Sequence, residues 1–324
     1  MRRRGPLLTI GIGAAVGVAL WLSTPPVLDY RLAARELPGD LDDWLDDEER
    51  GVDERFGLVE GTRKRIVWQT AGERTRYAVV YLHGFSATRQ ETAPLAARVA
   101  DGLGANLFET RLAGHGYRSE PMHGVRAEQW LDDAAEAIAI GARLGERVVL
   151  IGTSTGGTLA LAACQAACAR TVSDIVLISP NFAPRDPSAH WATRPGGSLI
   201  ARLAVGETRS WTPHNELQAR YWSTTYPVGA AIEMMRLVDL LQSELPLRLD
   251  QNLLVFISPD DAVVSPAATR DAFAGIEAPR KQLVEITTSG DPSQHVLAGD
   301  VLSPGTTGEM AARIVAFITA DASE

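Results

Sequence analysis

The chain has 324 residues, 45% of them hydrophobic and 22% charged, an ordinary globular balance that excludes a disordered or low-complexity protein. Lys plus Arg number 31 against 40 Asp plus Glu, for a formal net charge of −9. Nothing in that balance supplies the clustered cations that phosphate backbones require, so nucleic acid is excluded as a partner. Two cysteines, Cys164 and Cys168, are too few for a disulfide framework or a zinc site and read as small buried hydrophobes.

In chain order, MRRR precedes LLTIGIGAAVGVALWL (7–22), a run without a charged residue. This is the layout of a secretory signal or signal anchor. No small-x-small cleavage site follows, so residues 1–25 are expected to remain as a membrane anchor. Arg2, Arg3 and Arg4 would then be cytoplasmic and the rest exported; cleavage and secretion is the alternative. Residues 26–60 are expected to form an acidic linker: 39–54 carries nine Asp or Glu against one Arg, the pattern of a solvated approach to a domain.

From residue 61 short apolar strands alternate with helical stretches. Strands are predicted at RKRIVWQT (63–70), RYAVVYLHGF (76–85), NLFETRLAGHG (106–116, with its exit loop) and RVVLIG (147–152). Further strands follow at DIVLISP (174–180), NLLVFISP (252–259) and KQLVEITTS (281–289). Helices are predicted at 92–105, with apolar residues at three- and four-residue steps, at 127–145, with an acidic first half and Arg143 near its end, at 157–169, almost wholly apolar, and at 266–276 and 307–320. Near-continuous apolar strands between helices predict an α/β fold with a mostly parallel sheet covered on both faces. Residues 61–180 and 250–322 form that core. Residues 181–249 interrupt the rhythm with Trp191, Trp211, Tyr221, Trp222 and Tyr226, and with Pro184, Pro187 and Pro195. Such an insertion is read as a cap over a pocket, or as a helical excursion packed on the core.

Acyl transfer needs an exposed hydroxyl, a base beside it, an acid to orient the base, and donors for the developing oxyanion. Gly152-Thr153-Ser154-Thr155-Gly156 fits G-x-S-x-G directly between a predicted strand and helix, the context in which that motif holds a nucleophile. His295, on the loop after the last strand, is the candidate base. The acid is expected after the preceding strand, at Asp260 or Asp261. Asp261 is chosen because Val263 and Val264 can anchor its loop and Pro266 opens the next helix; Asp260 and Asp291 remain alternatives. The order Ser154, Asp261, His295 differs from those of the chymotrypsin and subtilisin types. The oxyanion donors expected are the backbone N–H groups of Thr155 and, after an earlier strand, of Phe85. Gly84 would allow close approach there, while His83 and His115 would organise loops rather than react.

The set YLHGF, RLAGHG, GTSTGG, SPDDAVVSP and QHVLAGD resembles the α/β-hydrolase superfamily, in its carboxylesterase, monoglyceride-lipase or lysophospholipase-like branch. The resemblance covers residues 61–322. It implies a Ser154–Asp261–His295 triad, an oxyanion hole at Phe85 and Thr155, a cap at 181–249 and a pocket-shaping role for the 111–116 loop. It also implies cleavage of a small-molecule ester, lipid-derived in the favoured case, with no metal or other cofactor. Acyl transfer to another acceptor, amide or peptide cleavage, and a non-catalytic binding protein are the competing readings. One departure is Thr153, where His, Met or Gln is frequent in such enzymes. Oligomeric state is not legible.

Overall fold

The computed structural model describes residues 25–28, 30, 35–165 and 167–320. The expected N-terminal anchor therefore lies outside the described residues. Among those described, no helix is long and apolar enough to cross a membrane.

The stretch read as an acidic linker contains a helix, α1 (Leu41–Phe56), docked on the core. Asp40 caps it by accepting from the Asp42 and Asp43 amides at 3.1 Å, and acids in its first turn with Arg55 in its last suit the helix dipole. Leu41, Leu45 and Glu49 fall four residues apart on one face, and all three are buried. The acidity is thus the outer face of an amphipathic helix. On its inner face Glu49 Oε1 accepts from Arg111 Nη2 at 2.6 Å.

Seven strands make the central sheet: β1 (Arg65–Val67), β2 (Thr75–Leu82), β3 (Asn106–Glu109), β4 (Gly145–Thr153), β5 (Val172–Ile178), β8 (Asn252–Ile257) and β9 (Lys281–Glu285). Their order is β1-β3-β2-β4-β5-β8-β9, parallel throughout except for the β1–β3 pair. Alternate residues of β2 enter two different cores. Ala78, Val80 and Leu82 pack with α3 (Ala127–Leu144), α4 (Thr155–Cys164) and α7 (Val228–Glu244). Tyr77, Val79 and Tyr81 pack with α2 (Leu95–Leu103) and α9 (Pro304–Thr319). Burial on both faces is why the inner strands β2, β4, β5 and β8 read as near-unbroken apolar runs. Helix α4 is buried along its whole length, so its sequence carries no polar face. It ends at Cys164, short of the predicted 169; a 3₁₀ turn, Ala167–Thr171, precedes β5.

Residues 181–249 leave the sheet after β5 and return before β8. They fold as a 3₁₀ turn (Pro187–Thr193), α5 (Gly197–Val205), a β6 (Thr208–Ser210) and β7 (Thr225–Pro227) ribbon flanking α6 (Glu216–Tyr221), and α7. Helix α8 (Pro266–Gly275) then joins β8 to β9.

Candidate active site

The C-terminal ends of β2, β4, β8 and β9 lie along one edge of the sheet, where α/β proteins build their sites. At the end of β4 the chain turns directly into α4 through Ser154, whose φ of 52° and ψ of −117° place a non-glycine residue in the left-handed half of backbone space. Such a conformation persists only where the surroundings enforce it. Here they do: the Ser154 N–H donates to Ile178 O at 2.9 Å, and Ser154 O accepts from Gly157 and Asn181 amides at 2.9 and 3.1 Å. A Cβ on Gly156 would lie 2.1 Å from Leu82 O, so only glycine lets α4 start against the end of β2. The Thr155 and Phe85 N–H groups have no hydrogen-bond partner among the described residues.

Asp261 and His295 meet on the loops that follow β8 and β9. His295 Nδ1 lies 2.8 Å from Asp261 Oδ2, and both residues are buried. The other Asp261 oxygen accepts from the Val263 and Val264 amides at 2.8 and 2.9 Å, fixing the carboxylate. Asp260, one residue earlier, is exposed. Asp291 holds the histidine loop instead of the imidazole, its Oδ2 accepting from His295 N at 3.0 Å and Val296 N at 2.9 Å. Ser179 Oγ, beyond β5, donates to His295 O at 2.7 Å. Burial depresses the His295 pKa, but the charge and hydrogen bond of Asp261, then Glu91 and Asp291, outweigh it and leave the imidazole more basic than usual.

Two further histidines, His83 and His115, brace loops. His83 Nε2 accepts the Leu112 N–H at 3.0 Å and its Nδ1–H faces Gly84 O at 2.9 Å. His115 Nε2 accepts the Ser86 N–H at 3.1 Å, while its Nδ1–H faces Ala113 O at 3.0 Å. Burial keeps both neutral, pushing His115 down to about 4 and His83 well below its ordinary range. The RLAGHG loop is thereby tied to the turn that carries Gly84 and Phe85. The Phe85 ring stands edge-on to His115, Trp130 and Tyr226, the last at a 5.0 Å centroid distance. Trp222 from the cap packs with Ala87, Val296 and Leu302, and the Ser223 N–H donates to Ser86 O at 2.7 Å. Among the described residues no group of three His, Cys, Asp or Glu side chains is arranged to hold a metal ion.

The sequence reading missed Glu91. It lies 2% exposed with its carboxylate on the Gly84 amide, yet RQET at a loop-to-helix junction reads as solvated. No sequence signal marks it as buried.

A parallel sheet bearing a serine on a strained strand–helix turn, with a histidine–carboxylate pair on the later loops, defines an α/β-hydrolase. Residues 73–289 match the model of Hydrolase_4, serine aminopeptidase S33, and the chain belongs to that family of serine hydrolases. Over 213 residues it is 29% identical to a thermostable monoacylglycerol lipase of Bacillus sp. (strain H-257), covering 65% of this chain and 81% of that one. The fold is also that of a lipolytic enzyme of the metagenome-derived LipS and LipT pair, with a TM-score of 0.65 at 20% identity over 81% of this chain and 99% of the other. A monoacylglycerol lipase of Paleococcus ferrophilus gives a TM-score of 0.59 at 16% identity, over 79% and 98%.

Proposed function

We propose that the protein cleaves carboxylic esters through an acyl-enzyme formed on Ser154. Ser154 Oγ attacks the ester carbonyl while His295 takes its proton, and Asp261 holds the imidazole in the tautomer and orientation that this requires. The Thr155 and Phe85 N–H groups receive the oxyanion. Collapse expels the alcohol, which takes the proton from His295; water then repeats the sequence on the acyl-enzyme and releases the acid. The carrying observation is the buried His295–Asp261 pair at 2.8 Å, held on the same sheet edge as the strained Ser154. No step calls for a metal or cofactor.

An acyl ester of a lipid-derived alcohol is the favoured substrate class. The support is the likeness to a monoacylglycerol lipase and the aromatic residues that the cap brings to the site. The family's description as an aminopeptidase favours amide cleavage as a second reading. A single assay separates the two: a chain-length series of monoacylglycerols against aminoacyl-anilides. Turnover of anilides alone would reject the ester reading. Fluorophosphonate should label Ser154, and Ser154→Ala and His295→Ala should each lower ester turnover by about 10⁴-fold or more without unfolding the protein. Export behind an uncleaved anchor belongs to the same proposal, on the strength of Arg2–Arg4 and the uncharged run 7–22. Cell fractionation of the full chain against one lacking residues 1–25 tests it.

A further inference from the structure

The turn that presents the Phe85 N–H is backed by a carboxylate to which the triad reading gives no task. Glu91, between β2 and α2, points inward. Its Oε2 accepts the Gly84 N–H at 2.8 Å and the Tyr81 hydroxyl at 3.1 Å. The same hydroxyl lies 3.2 Å from Thr153 Oγ1, the residue directly before Ser154. A Cβ on Gly84 would fall 2.7 Å from Glu91 Oε1 and 3.1 Å from Ser154 Cβ. Gly84 is therefore pressed between the carboxylate and the nucleophile, and only a residue without a side chain fits. On its other side the Gly84 carbonyl is held by His83 Nδ1–H at 2.9 Å and the Ala87 N–H at 3.3 Å. With both its N–H and its C=O engaged, Gly84 is held in place, and the next amide, that of Phe85, has no partner among the described residues.

A buried carboxylate is costly unless it is hydrogen-bonded, and the Gly84 N–H and Tyr81 hydroxyl supply those bonds. We propose that Glu91 is a positioning residue of the hydrolytic site: it clamps Gly84 so that the Phe85 N–H points at the oxyanion. This rests on the reading of Ser154 as nucleophile and the Phe85 N–H as oxyanion donor. Among the described residues, the titratable groups that face Glu91 are Tyr81 on β2 and His295 and Asp291 on the loop after β9. Burial pushes the Glu91 pKa up to about 7, against the opposing pull of the Gly84 N–H, His295 and the Tyr81 hydroxyl.

The test is the steady-state kinetics of Glu91→Ala, Glu91→Gln and Ser154→Ala on a short p-nitrophenyl ester, with a thermal melt of each. Glu91→Ala should lower kcat by about 10²-fold with KM little changed, the cost of a misplaced donor. Glu91→Gln keeps an oxygen for the Gly84 N–H and should regain most of kcat. Unchanged kcat in a folded Glu91→Ala protein overturns the proposal, as does equal damage in both variants. Where Glu91→Ala does not fold, Glu91→Leu, which fills the space without an acceptor for the Gly84 N–H, decides: kcat lowered about 10²-fold with KM little changed supports the clamp, and wild-type kcat overturns it. Full turnover by Ser154→Ala would sink the nucleophile reading itself. An inactive Ser154→Ala beside an unimpaired Glu91→Ala would sink only the Glu91 proposal.

Discussion

The site edge of the sheet and the outer cap are built on opposite terms. At the edge, the side chains of Asp261, His295, His83, His115 and Glu91 are each buried and each bonded to a partner on another segment or to backbone N–H groups. Several of those bonds cross between loops far apart in sequence. In the cap, α5 and the turn before it show Trp191, Ile200 and Leu203 to solvent at 72, 61 and 78% exposure. The inner cap, from Trp222 to Tyr226, is bonded and packed against the Gly84–Ser86 turn; the outer cap is not. The difference teaches where variation is cheap. A change at the edge must disturb several loops at once, whereas a change on α5 meets mostly water.

The largest effect that sharpens this contrast comes from one atom at the edge. Asp261→Asn offers an N–H or a neutral oxygen where His295 Nδ1 needs a charged acceptor, and kcat should fall by about 10⁴-fold. The same change at exposed Asp260 should leave kcat within about twofold, since surface substitutions rarely exceed 0.5 kcal/mol. Steady-state kinetics of the two variants decides the matter. Equal losses would mean that the acid is shared or displaced by one residue.

The edge should also leave a mark on stability against pH. His115 is neutral in the fold because burial pushes its pKa down to about 4 from an ordinary 6.5. Between those values the unfolded chain takes up a proton that the folded chain refuses. Stability is therefore present above the higher value and lost as pH falls through the lower one, by about 3 kcal/mol for this group. His115→Gln, which keeps an acceptor for the Ser86 N–H, should flatten that part of the curve in urea titrations at stepped pH. A slope unchanged between pH 6.5 and 4 would show that His115 is protonated in the fold. His83 is shifted the same way, so the comparison must be between variant and wild type rather than against a flat line.

The strand–helix rhythm was legible because burial on both faces leaves nothing polar to confuse the pattern, as in RVVLIG and the wholly buried α4. The placement of the candidate residues was legible where chemistry and order coincide: a serine between strand and helix, an acid after β8, a histidine after β9. Two things were not. Glu49 and its neighbours read as solvated because composition counts charges without saying which face they occupy, and the Arg111 that receives Glu49 lies 62 residues away. Glu91 was hidden for the same reason: its partners are the Tyr81 hydroxyl and the Gly84 backbone N–H, and neither residue type signals that it will receive a buried acid. Long-range pairing of a charge is a tertiary fact.

The smallest effect is expected where the cap is most exposed. Leu203 is 78% exposed, so its side chain meets water in the folded and unfolded chains alike. Burial, not hydrophobicity as such, is what stabilises. Leu203→Ala should change the unfolding free energy by no more than about 0.5 kcal/mol and leave kcat on a short ester untouched. Alanine is also a good helix former, so α5 itself should persist. The same truncation at Leu82, fully buried beneath the site, should cost about 2–5 kcal/mol through lost contacts and a cavity. Denaturant midpoints of the pair measure the contrast directly. A Leu203→Ala protein destabilised by more than about 1 kcal/mol would mean that α5 is packed against a surface in solution, and the division between a fixed edge and a free outer cap would fail.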